Sequence, residues 1–119
     1  MSDAIVWLGV GVIGGLASIA RFAIDRVISS RYGRRFPLGT LTVNVAGAAL
    51  LGLVTGLALR GDALLLAGTA GLGSYTTFST WMFETHRLAE DGETLLLAAN
   101  VLASIGLGCA AVALGRWIA

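Results

Sequence analysis

The chain has 119 residues, 56% of them hydrophobic and 13% charged, with 17 glycines against one proline, and a mean hydropathy of +0.85. This balance lies outside that of soluble domains and indicates an all-α membrane protein forming one compact unit, its helices brought close by small residues. The formal net charge is +1 and the eight basic residues, all arginines, form no basic tract, which argues against a nucleic-acid partner.

No charged residue occurs from Ala4 to Ala20, and apolar character resumes around Arg21, so a first span is expected over about 4–24. Asp3 stands where a secretory signal would carry basic residues, which predicts no cleaved signal and a mature N-terminus near Met1. Arg21 is expected to snorkel toward headgroups, with Asp25 four residues on as a partner. Gly11, Gly14 and Gly15 mark one close-packing surface. Arg26 to Phe36 reads as a basic connector, after which Pro37 sets a rigid start to a second span, about 38–59. Within that span Asn44 is a carboxamide among valine, alanine and leucine, and leaving it unpaired in hydrocarbon would be costly. Two readings stand level: an interhelical hydrogen bond, or a donor lining a pathway.

A polar turn at Arg60-Gly61-Asp62 leads into a third span, about 63–83. Its stretch Gly68 to Phe83 holds three glycines at 68, 71 and 73 and five hydroxyls at Ser74, Thr76, Thr77, Ser79 and Thr80. Such a sequence reads as a helix broken mid-membrane, and irregular backbone at that depth is tolerated only where it is buried in protein or lines a cavity. The stretch is therefore the candidate for an ion or substrate site. A helix resuming near Thr76 would place Phe78 and Trp81 on one face and Thr77, Thr80 and Glu84 on a neighbouring polar stripe, although Glu84 alone also reads as a solvated helix end. His86, Arg87, Glu90, Asp91 and Glu93 form a polar connector in which His86 has no second histidine or cysteine with which to hold a metal.

The fourth span, about 94–115, carries Asn100, Ser104 and Gly108 four residues apart on one face, where they could meet Asn44 or the hydroxyl stripe. Cys109, in the same apolar run, reads as a small packing residue, and a lone cysteine excludes a disulfide framework. Arg116 and Trp117 read as an interfacial anchor.

Three motifs in this order resemble the CrcB/Fluc family of fluoride channels, over essentially the whole chain. Gly14 to Phe22, GGLASIARF, resembles the family's glycine-rich first-helix motif; Gly39 to Gly47, GTLTVNVAG, its second-helix motif; and Gly73 to Thr80, GSYTTFST, its third-helix signature. The resemblance implies an antiparallel, dual-topology dimer of four-helix subunits with two pores, conducting fluoride passively out of the cell through the plasma (inner) membrane. It implies a structural sodium ion at the dimer interface, held by backbone carbonyls at Gly73 and Thr76 of both subunits. It also implies pore roles for Asn44 as a donor, for Phe78 as a ring whose edge faces the anion, and for a polar track of Ser79, Thr80, Glu84 and Ser104; Trp81 and Asn100 join the expected fluoride-pore residues. Trp81 stands where the family has the second phenylalanine of a pair and brings an indole N–H. Gly108 stands where the family's polar track would continue and brings no side-chain donor.

Six arginines (21, 26, 31, 34, 35 and 87) are expected on one side of the membrane and two (60 and 116) on the other. Cytoplasmic loops gather positive charge, which leaves open a heterodimer with an oppositely oriented paralogue, or a non-conducting subunit, beside the homodimer. A small dual-topology proton-coupled exporter matches the size of the chain but needs a carboxylate inside the first span, and Ala4 to Ala20 has none. The chain shows no nucleophile–base pair or metal cluster pointing to an enzyme.

Overall fold

The computed structural model describes residues 2–119, so the N-terminus expected near Met1 lies outside the described residues. Among the described residues all regular structure is helical. In chain order it comprises α1 (Asp3–Tyr32), α2 (Leu38–Gly56), α3 (Gly61–Leu64), a π-helical segment (Leu65–Leu72), α4 (Gly73–Tyr75), α5 (Phe78–Glu90) and α6 (Thr94–Ile118). Three of these, α1, α2 and α6, are long and apolar enough to cross a bilayer, and the chain is a multi-pass membrane protein.

Helix α1 starts under a Ser2 cap, whose hydroxyl accepts from the Ile5 N–H, and runs 30 residues. It absorbs most of the expected basic connector: Arg26 and Arg31 lie on its last turns, and the chain turns only at Gly33, whose positive φ of 82° closes the helix. The connector proper is short, and Pro37 caps α2. Asp25 is not paired with Arg21 as the spacing suggested. Its carboxylate takes the Ser29 hydroxyl at 3.2 Å and approaches Arg34 at 3.9 Å, both beyond it in the chain.

The closest helix pair is α2 with α6. A Cβ added at Gly52 would collide with the Val112 carbonyl, and one at Gly115 with the Ala49 carbonyl, so the two backbones meet with no side chain between them. On α1 only part of the expected glycine surface is used within the chain. Gly14 lies against Ser74, whereas Gly11 and Gly15 face open space. Large apolar side chains are exposed along the outside, among them Trp7, Leu16, Ile19, Phe22, Leu95 and Trp117. In a soluble protein this surface would be an aggregation hazard; in a bilayer it is solvated by lipid.

Both ends of the molecule are polar. Arg87 donates to the Arg34 carbonyl at 2.6 Å and Arg35 pairs with Glu93 at 3.2 Å, tying the end of α5 and the start of α6 to the α1–α2 connector. At the other end Gly56 of α2 packs on Arg116 of α6. Arg87 and the arginines of the connector thus share one end, and Arg116 lies at the other beside the end of α2.

Between α2 and α6 in sequence, the glycine-rich stretch departs from the expectation in one respect. The glycines do not interrupt the helix. Gly68 and Gly71 sit in the wider π-helical winding, and Gly73 begins α4. The backbone leaves the helix instead at Thr76 (φ −79°, ψ 159°) and Thr77 (φ −143°, ψ 118°), then resumes as α5. Two adjacent β-branched residues suit extended backbone, and glycine flexibility alone does not fix where a helix yields.

Candidate functional site

Two residues leaving a helix expose backbone groups that need partners. Thr77 is buried, and its peptide groups are taken up by one side chain: Asn44 Oδ1 accepts from the Thr77 N–H at 2.9 Å, and Asn44 Nδ2 donates to the Thr77 carbonyl at 2.9 Å. The carboxamide thus replaces the hydrogen bonds that a continuous helix would supply. Its approach is set by Gly47, one turn along α2 on the same face, where a Cβ would collide with the Thr76 methyl group. The interhelical reading of Asn44 therefore holds, and a second N–H on Nδ2 remains beyond the one given to Thr77.

This clamp has a consequence for the carbonyls upstream. In an unbroken helix the Thr77 N–H would bond to the Gly73 carbonyl and the Thr80 N–H to the Thr76 carbonyl. Here the Thr77 N–H goes to Asn44, and the Thr80 N–H goes to the Thr77 hydroxyl at 3.2 Å as the cap of α5. The Gly73 and Thr76 carbonyls are thereby released from their helical donors. Both residues line one open groove of about 430 Å³, along with Asn44, Phe78 and Trp81. Carbonyl oxygens are ligands for a hard cation, and two released together fit the sodium set expected at Gly73 and Thr76.

Phe78 and Trp81 share a face as the spacing required. Their rings meet edge to face, with centroids 5.8 Å apart and planes at 76°. Phe78 is 70% exposed, and Ser79 beside it is also exposed. A second groove of about 560 Å³ lies between α2, α5 and α6; it is lined by Asn44, Trp81, Ser104, Gly108 and Cys109 among others. Cys109 is exposed on this groove rather than packed in a core. Trp81 Nε1 and Ser104 Oγ are buried and have no hydrogen-bond partner.

The remaining expected residues lie elsewhere. Thr80 lines a small cavity of about 130 Å³ on the α1 side, together with Arg21, Asp25, Thr40 and Thr77. Glu84 is buried at 9% exposure and accepts the hydroxyl of buried Thr40, so it is no solvated helix end. Asn100, at 1% exposure, turns away from Asn44 and donates to Thr85 Oγ1 at 2.9 Å, while that hydroxyl donates to the Trp81 carbonyl at 2.7 Å. The anticipated site thus divides. Asn44, Phe78, Trp81 and Ser104 surround the two open grooves, whereas Thr80 and Glu84 belong to a polar cluster against α1, and Asn100 braces α5. Thr40 and Thr85 complete these clusters and were not anticipated; their signal was a hydroxyl within a motif at Thr40 and the i, i+4 spacing from Trp81 at Thr85. His86 pairs with Glu90 at 2.7 Å on the exposed end of α5.

An all-helical membrane protein with a clamped backbone interruption and donor-lined grooves has the features of an ion-handling protein. The sequence model of a family described as "CrcB-like protein, Camphor Resistance (CrcB)" matches residues 8–116. A protein of Mycobacterium tuberculosis named fluoride-specific ion channel FluC 2 is 57% identical over 114 residues, covering 96% of this chain and 90% of the relative. One of the same name from Mycolicibacterium paratuberculosis is 52% identical over 119 residues, covering 100% and 98%. A fluoride-specific ion channel FluC of Geobacter sulfurreducens is 45% identical over 105 residues, covering 84% and 85%. The chain belongs to the CrcB family.

Proposed function

We propose that this chain is a subunit of a fluoride-selective channel that lets cytoplasmic fluoride leave passively through the plasma (inner) membrane and so relieves its toxicity. The observation that carries this reading is the set of donors around the interruption: the spare N–H of Asn44 and the unpartnered Trp81 Nε1 and Ser104 Oγ, on a groove lined by no charged residue. Fluoride is small and strongly hydrated, and stripping its water in a low-dielectric site is prohibitive unless donors replace the shell. Amide, indole and hydroxyl protons and the ring edge of Phe78 do this without the tight grip of a fixed cation. The names of the relatives support fluoride as the ion.

The segments flanking Thr76 and Thr77 act in this reading as one broken third span, making four per subunit. Two subunits pair in antiparallel, dual-topology fashion at the exposed face carrying Gly73 and Phe78. The released carbonyls of Gly73 and Thr76, with their symmetry mates, would hold a structural sodium ion, which supplies positive charge at the crossing. The chain functions as a channel in the lipid bilayer and not as an enzyme. The homodimer is the first reading, and the arginine distribution supports a second beside it, a heterodimer with an oppositely oriented paralogue.

The test is efflux of fluoride and of chloride from liposomes containing only this protein. Fluoride loss without chloride loss is expected of a self-sufficient homodimer. Absence of fluoride flux from folded dimers would overturn the homodimeric channel and direct the search to a partner subunit.

A further inference from the structure

Helix α1 presents one uninterrupted apolar stripe to the outside. Ile5, Leu8, Val12, Leu16, Ile19 and Phe22 are each more than half exposed. In helical projection they fall within an arc of about 120°, and from first to last they rise about 26 Å along the axis. That rise nearly matches the roughly 30 Å of a bilayer's hydrocarbon core. The helix does not stop at Phe22. It has 30 residues and ends at Tyr32, a length of about 45 Å, so its last turns stand at and beyond the level of the headgroups.

Arg26, four residues past Phe22, lies inside the same arc and is exposed. Among the described residues it makes no ion pair, because the carboxylates nearby are engaged elsewhere. Asp25 takes the Ser29 hydroxyl and approaches Arg34, Glu93 pairs with Arg35, and Glu90 with His86. Arg21 does not serve this face: it lines the small cavity with Asp25 and Thr40. Arg31 is exposed as well, its guanidinium 5.8 Å from the centroid of the Tyr32 ring, and adds a second positive charge at this end of the helix.

A free guanidinium at the headgroup end of a lipid-facing stripe complements one class of molecule. A phospholipid laid along the stripe has its chains against Ile19 and Phe22 and its phosphate beside Arg26, whose planar fork suits two parallel N–H bonds to phosphate oxygens. A zwitterionic headgroup carries its own cation, whereas an anionic one leaves its charge to the protein. We infer that the outer face of α1 binds an anionic glycerophospholipid, with its phosphate on Arg26 in the field of Arg31 and an acyl chain along Ile19 and Phe22. Neither groove between the helices takes part in this contact.

Native mass spectrometry of the full chain, released from detergent at rising lipid concentrations, measures the affinity. The unaltered protein should bind phosphatidylglycerol about five-fold more tightly than phosphatidylcholine with the same acyl chains, the factor expected of one arginine at an anionic surface. Glycerol 3-phosphate, which has the phosphate without the chains, should not compete. Arg26→Gln should abolish the preference and Arg26→Lys should keep part of it. Arg60→Gln, which removes an exposed arginine at the other end of the molecule, should leave it unchanged. In liposomes, phosphatidylglycerol carrying a photoreactive diazirine near its glycerol should label residues 19–27 of the unaltered protein, which places the contact without relying on the folding of any variant. Equal affinity for the two lipids, or a preference that survives Arg26→Gln, would overturn the site. Competition by glycerol 3-phosphate would overturn the lipid as occupant in favour of a soluble phosphate, and labelling confined to other helices would overturn its placement on α1.

Discussion

Helix α2 presents two different contacts along its length. Toward its C-terminal end, Gly52 meets α6 backbone to backbone, reciprocated by Gly115 on Ala49, with no polar side chain between them. Toward its N-terminal end, Asn44 grips the Thr77 peptide, and the groove beside it keeps the unpartnered donors of Trp81 and Ser104. The first contact is a closed seam whose role is to hold the chain together. The second leaves hydrogen-bonding capacity unspent by the protein. The difference shows how 119 residues can combine rigidity with a site: glycine contacts fix the frame, and a single carboxamide stabilises the backbone departure beside the grooves.

The comparison can be broken at either contact. Gly52→Val drives a side chain into the Val112 carbonyl, which cannot move independently, and should cost about 3 kcal/mol or more; the expected readout is loss of the monodisperse peak in detergent. Asn44→Ala leaves both Thr77 peptide groups unpaired and should cost about 2–3 kcal/mol in thermal unfolding. Smaller still, Thr85→Val removes the acceptor for Asn100 and should cost about 1–2 kcal/mol. It should also loosen the Trp81 turn, visible as faster amide exchange in α5. At the exposed end, His86→Ala breaks only the pair with Glu90 and should change stability by less than about 0.5 kcal/mol. A His86 variant as damaging as the Asn44 variant would contradict the division into frame and periphery.

Much of this was legible in the sequence. Apolar runs gave the helices, and the need of Asn44 for a partner followed from the cost of burying a carboxamide. The i, i+3 spacing put Phe78 and Trp81 on one face, where their rings meet. What could not be read was where the helix yields. Gly68, Gly71 and Gly73 have the weaker propensity, but the tertiary contacts of the π-helical segment and α4 with α1, such as Gly14 on Ser74, keep them wound. The departure falls at Thr76 and Thr77, where Asn44 and the Thr77 cap supply replacement bonds. The same limit applies to Asn100: four-residue spacing put it on a face with Ser104, but its carboxamide bonds Thr85 on α5 instead. Propensity identifies weak points, and long-range partners decide which one opens.

The most direct test of the account is fluoride efflux from liposomes containing Asn44→Ala beside the original protein, normalised to folded protein. If the clamp at Thr77 organises the proposed conducting site, the folded variant should lose at least about 100-fold of the flux, corresponding to roughly 3 kcal/mol. Undiminished fluoride efflux from folded Asn44→Ala protein would contradict the claim that this carboxamide builds the pathway.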